Sequence, residues 1–150
     1  MPGKWLFPAV CGKIGAFPVI IASRESEEEI ALSRDAVTVL GGLEEIPTRK
    51  ETRVRPVVGW VEENTPLEAN TDEIAAIFTV PLAFFRDDQR LRTDIFTCHK
   101  GGIPVQHWVP AYQYGDYEIW GFTAAVLVRL MNRCFDTDIQ RQHRAPEKIW

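Results

Sequence analysis

Two β-rich runs, Asp94 to His99 and Val105 to Tyr112, stand either side of Lys100-Gly101-Gly102-Ile103-Pro104. Paired glycines between runs of this kind are a natural reversal point, so the segment predicts an antiparallel hairpin. After Tyr117-Glu118-Ile119-Trp120, Gly121 leads into Phe122 to Phe135, where Ala124, Leu127, Val128 and Met131 recur at helical spacing. That second pattern predicts a packing helix. The chain therefore has to fold as an α/β (α+β) protein.

Earlier segments fit the same class. Val37-Thr38-Val39-Leu40 reads as a strand, Gly41-Gly42 as a bulge or bend, and Val54 to Val61 as a second strand rich in β-branched residues. Glu62-Glu63-Asn64-Thr65-Pro66 reads as a turn. Ile77-Phe78-Thr79-Val80 reads as a short buried strand, and Pro81 as the start of a short helix, Leu82-Ala83-Phe84-Phe85. Residues 1–17 hold three glycines and two prolines without periodicity, which predicts loop. A helix is expected from about Pro18 to Leu32, with Ile21, Ile30 and Leu32 on its inner side. The expected organisation is a poorly specified segment over 1–17, one domain over 18–135, and a polar, frayed tail over 136–150.

Composition narrows the partners. With 150 residues, 45% of them hydrophobic and 25% charged, the chain can bury one sizeable core. A net charge of −4 and the lack of a basic block argue against nucleic-acid binding. No uninterrupted apolar run is long enough to span a bilayer, and Pro8, Gly12, Gly15 and Pro18 break up the only stretch that could pass for a secretory signal. Cys11, Cys98 and Cys134 are odd in number and widely separated, as expected of free thiols in a reducing cytoplasm.

The candidate chemistry lies in Arg24-Glu25-Ser26-Glu27-Glu28-Glu29-Ile30-Ala31-Leu32. On a helix, Glu25, Glu28 and Glu29 fall at i, i+3 and i+4 and share one face. Like charges at this spacing each cost a helix a few tenths of a kcal/mol. A hard divalent cation with oxygen ligands, Mg²⁺ or Mn²⁺, would offset that repulsion. Taken alone, such a run is more often a solvated helix face.

Further blocks tilt the balance. Val54-Arg55-Pro56-Val57-Val58-Gly59, Asp72-Glu73-Ile74-Ala75-Ala76-Ile77-Phe78-Thr79-Val80-Pro81-Leu82 and Ile119-Trp120-Gly121-Phe122-Thr123-Ala124 follow the acidic run in order. Together with Arg24 to Leu32 they resemble the Nudix hydrolase family, in particular its coenzyme A diphosphatase subgroup, over roughly Ser23 to Phe135. The family's motif ends Arg-Glu-apolar-x-Glu-Glu-x-Gly-apolar, with Ser26 and Ala31 here at the apolar and glycine positions. The Phe-Pro-Gly-Gly opening of that motif is absent, and Phe7-Pro8-Ala9-Val10 is a faint echo of it. The resemblance implies a mixed β-sheet flanked by helices, with the leading strands missing from an N-terminally truncated or divergent member. Apolar surface and unpaired edges left by missing strands would make a marginal or aggregation-prone monomer unless a partner, such as a second copy in a homo-oligomer, covers them.

The resemblance also implies a function. Glu25, Glu28 and Glu29 would hold Mg²⁺ or Mn²⁺ and act as the catalytic carboxylates, Arg24 would support them, and Glu73 would be an additional acid. The substrate would be coenzyme A or an acyl derivative, cleaved to 3′,5′-ADP and (acyl-)phosphopantetheine. Another nucleoside diphosphate derivative is the alternative within the same chemistry, and a noncatalytic binding module the alternative outside it. No substrate-binding residue is assigned. Trp108, Tyr112, Tyr114, Tyr117 and Trp120 could stack an adenine, although packing is the commoner use of such residues. His99, His107 and His143 have no ligand spacing, and Cys98 and His99, adjacent on a strand, point to opposite faces.

Overall fold

The computed structural model describes residues 31, 33–47, 53–61, 66, 68, 78 and 80–150. The loop expected over 1–17 lies outside them, as does the helix expected from Pro18 except for Ala31. The chain divides into two compact units, Met1–Leu82 and Ala83–Trp150. Its described residues form a mixed α and β structure, as expected.

In the first unit a 3-10 turn, Arg34–Ala36, leads into β1 (Val37–Gly42) and β2 (Ile46–Pro47), which are followed by β3 (Arg53–Val54) and β4 (Val57–Val61). β1 pairs antiparallel with β4, and β2 with β3. The two ladders are nested, so residues 37–47 are retraced by 53–61. The register shifts between Val39 and Gly41, which makes the expected bulge, and Gly41 sits there at φ 156°. A bulge of this kind leaves one residue unpaired and increases the local twist.

The single strand expected over Val54 to Val61 is instead two. Pro56 has no N–H to give to a ladder, and the pairing stops at Arg55-Pro56. Its carbonyl still accepts from the Leu43 N–H at 2.8 Å. Among the described residues of this unit, Leu43, Ile46, Val54 and Val58 are the buried apolar ones. Glu45 lies 3.7 Å from Arg53 and 3.5 Å from Arg55, exposed pairs that contribute little. Of the strand expected at Ile77 to Val80, Phe78 and Val80 are described. Neither is in regular structure, and Phe78 is exposed.

The second unit holds the expected hairpin. After Pro81, α1 (Leu82–Arg86) ends in a turn in which Asp88 takes φ 48°. Aspartate tolerates that left-handed backbone better than most residues. β5 (Arg92–Lys100) and β6 (Ile103–Tyr114) pair without a break from Arg92↔Ala111 to Lys100↔Ile103. Gly101 and Gly102 take φ 57° and 82°, the two positive values a tight hairpin turn needs. β7 (Tyr117–Ile119) returns along β6, and α2 (Gly121–Cys134) packs on β6. The helix buries Ala124, Leu127, Leu130 and Met131. Val128, expected inside, is half-buried, and Leu130 takes its share of the core.

The tail departs most from expectation. Residues 136–150 are seated, because their polar groups find partners on other elements of the unit. Asn132 donates from Nδ2 to the Ile139 carbonyl at 3.1 Å, while its Oδ1 accepts from the Ile139 N–H and the Thr137 hydroxyl, both at 2.8 Å. Ile139 is thereby held in the core. β8 (Glu147–Ile149) then lies parallel to β5, opposite Thr93, Asp94 and Ile95. The result is a mixed sheet in the order β7-β6-β5-β8.

Two substitutions test these packing arguments. A Cβ on Gly59 would come within 2.7 Å of Val37 Cγ1, a side chain with little rotamer freedom. Gly59→Ala is therefore expected to destabilise the chain by about 1–3 kcal/mol, read from the urea midpoint. Asn132→Ala leaves the Ile139 peptide without its partners, at a cost of about 1–3 kcal/mol. Amide exchange over 137–149 should rise with it, and unchanged protection there would disprove the anchoring role.

Candidate functional site

The residues singled out for chemistry, Arg24, Glu25, Glu28, Glu29 and Glu73, lie outside the described residues. What is described is the chain leaving the acidic run. Ala31 takes φ 54°, a left-handed conformation that costs an L-residue roughly 1–2 kcal/mol. It occupies the position where the motif calls for glycine, the residue that takes this backbone at no steric cost. Two residues on, the Ser33 hydroxyl accepts from the Asp35 N–H at 3.3 Å, and the chain passes through the 3-10 turn into β1.

In the second unit the buried charges are closed among themselves. The Arg90 side chain is fully buried. Its Nε and Nη2 donate to the two Asp88 carboxylate oxygens at 2.9 and 2.5 Å, and Nη1 donates to Thr93 Oγ1 at 2.9 Å. The Gln140 and Arg141 carbonyls take the remaining N–H groups at 2.7 and 3.3 Å. Arg92 grips the buried Asp94 through Nε at 2.7 Å and reaches Glu118 through Nη1 at 2.5 Å. Those carboxylates, with the Asp94 hydrogen bond foremost, hold the Arg92 guanidinium above its ordinary pKa. Neither arginine has a free fork to offer a phosphate. The readable signal for this network is the alternation Asp88-x-Arg90-x-Arg92-x-Asp94, which sequence reasoning passed over.

The aromatic region is largely structural. Tyr112 is fully buried, with ring centroids 5.0 Å from Phe85 and 5.9 Å from Phe84. Its hydroxyl has no hydrogen-bond partner among the described residues. Burial first, then the charge of Asp88, push that phenol well above its ordinary range. Tyr114 packs on Phe84 at 5.2 Å, and the Arg90 guanidinium lies 5.3 Å from the Trp108 ring. Trp120 stacks on Trp150, which also stacks on Phe96. Trp108 borders an open concavity of about 590 Å³ with Ile139, Gln140, Arg141, Gln142 and Glu147. The Arg141 fork there is already held by Glu147 at 2.8 and 2.9 Å.

The remaining candidates behave as ordinary residues. His99 and His107 are exposed, while His143 is half-buried and accepts from the Ala145 N–H at 3.0 Å through Nδ1. Cys98 and Cys134 are free thiols. Among the described residues no group of three or more His, Cys, Asp or Glu side chains could hold a metal ion.

No family model matches the chain. Over 110 residues it is 39% identical to a protein of Yersinia enterocolitica named "Uncharacterized Nudix hydrolase NudL", covering 73% of this chain and 54% of that one. Proteins of the same name from Cronobacter sakazakii and Klebsiella pneumoniae are 35% and 34% identical over 113 residues, each covering 75% of this chain and 56% of the relative. The chain belongs to the Nudix hydrolase family. It spans about half the length of the curated relatives it matches. Among the described residues of this Nudix chain no helix is long and apolar enough to cross a membrane.

Ala31→Gly is expected to stabilise this Nudix chain by about 1 kcal/mol, because glycine adopts the left-handed backbone without steric cost. A lower thermal midpoint in that variant would show that the conformation is not what the position requires. Arg92→Ala strips Asp94 of its ion pair while leaving it buried, at an expected cost of about 3 kcal/mol. The double variant Arg92→Met with Asp94→Leu should recover most of that loss in the same denaturation assay.

Proposed function

We propose that this chain carries the diphosphate-cleaving chemistry of its family, acting with Mg²⁺ or Mn²⁺ on coenzyme A or an acyl derivative. The observation that carries the reading is the motif from Arg24 to Leu32 within a chain 34–39% identical to named Nudix hydrolases. The left-handed backbone of Ala31 at the motif's glycine position supports it.

The donor set fits the ion. Three carboxylates are hard oxygen ligands, suited to Mg²⁺ or Mn²⁺ rather than to a thiophilic metal. Glu28 and Glu29 would hold the cation, with Glu25 as a third ligand or as the group that orients water. When bound, a cation held there would neutralise phosphoryl oxygens and acidify water. A carboxylate not committed to the cation, Glu25 or Glu73, accepts a proton from the attacking water as the water oxygen forms a bond to phosphorus. The bridging P–O bond of the diphosphate breaks, its electron pair leaves with the departing phosphate, and 3′,5′-ADP and (acyl-)phosphopantetheine are released. Arg24 orients the glutamates through a forked guanidinium, a geometry that lysine does not reproduce. Glu73 is the further acid available to move a proton. The compartment we infer is a reducing cytoplasm, which the free thiols of Cys98 and Cys134 support.

The test is hydrolysis of coenzyme A by the purified chain with Mg²⁺ or Mn²⁺, followed by release of 3′,5′-ADP. Turnover should depend on the metal, disappear in Glu28→Gln, and fall about 10–100-fold in Arg24→Lys, as for other groups that orient metal ligands. Turnover only on a nucleotide sugar or a dinucleotide would move the substrate and keep the chemistry. A cooperatively folded chain inactive on all of these would overturn the enzyme reading in favour of a binding module.

A further inference from the structure

We draw no further inference here: the strongest candidate, the exposed apolar patch of Trp120, Ile149 and Trp150 at the β8 edge of the four-stranded sheet, carries nothing because nothing in the structure shows what covers it.

Discussion

A guanidinium cannot shed its charge when it is buried, so every N–H of Arg90 must meet an acceptor or the second unit bears the penalty of an unsatisfied ion. Its five hydrogen bonds meet that demand from three directions: the turn after α1 through Asp88, β5 through Thr93, and the C-terminal segment through two backbone carbonyls. Those carbonyls belong to residues some fifty positions away. The arginine thus joins the start of the unit to its end. With Ile139 held by Asn132, the chain is aimed so that Glu147 to Ile149 can run beside β5.

The consequence for architecture is a sheet of mixed sense. Hairpin connections make β5, β6 and β7 antiparallel neighbours, whereas a parallel neighbour needs a longer route back. Here the route is α2 and the segment after it. The Arg92–Asp94–Glu118 link crosses the same sheet from β5 to β7. Asp88, Arg90, Arg92, Asp94 and Glu118 hold strands and tail together, and the candidate chemistry rests on the acidic run of the other unit.

Legibility followed the range of the interaction. The Gly101-Gly102 reversal, the Pro81 start of α1 and the 3.6-residue period of α2 are all written in a few neighbouring residues, and each was placed from sequence. The break at Pro56 was equally local and was missed, because the β-branched residues around it outweighed one missing donor. The seated tail was missed for a different reason. Polar residues near a chain end usually fray, and nothing within 136–150 announces that Arg90 and Asn132 supply its partners. The candidate acidic site is legible only as a spacing of carboxylates, since its residues lie outside those described. Ala31, which follows it, departs from the motif's glycine in residue type, and its backbone takes a left-handed conformation that glycine adopts without steric cost.

The sequence alone determined the family, the acidic motif and the hairpin-then-helix order, because residue chemistry at fixed short spacing sets turns, periods and carboxylate clusters without help from distant parts of the chain. Tertiary structure alone decided that β8 joins the sheet in parallel, that Tyr112 and Trp108 pack against Phe85 and Arg90, and that the buried Arg90 and half-buried Arg92 are closed to ligands. The reason is that a buried donor is satisfied by whichever acceptor the fold brings to it, and no local pattern names that acceptor.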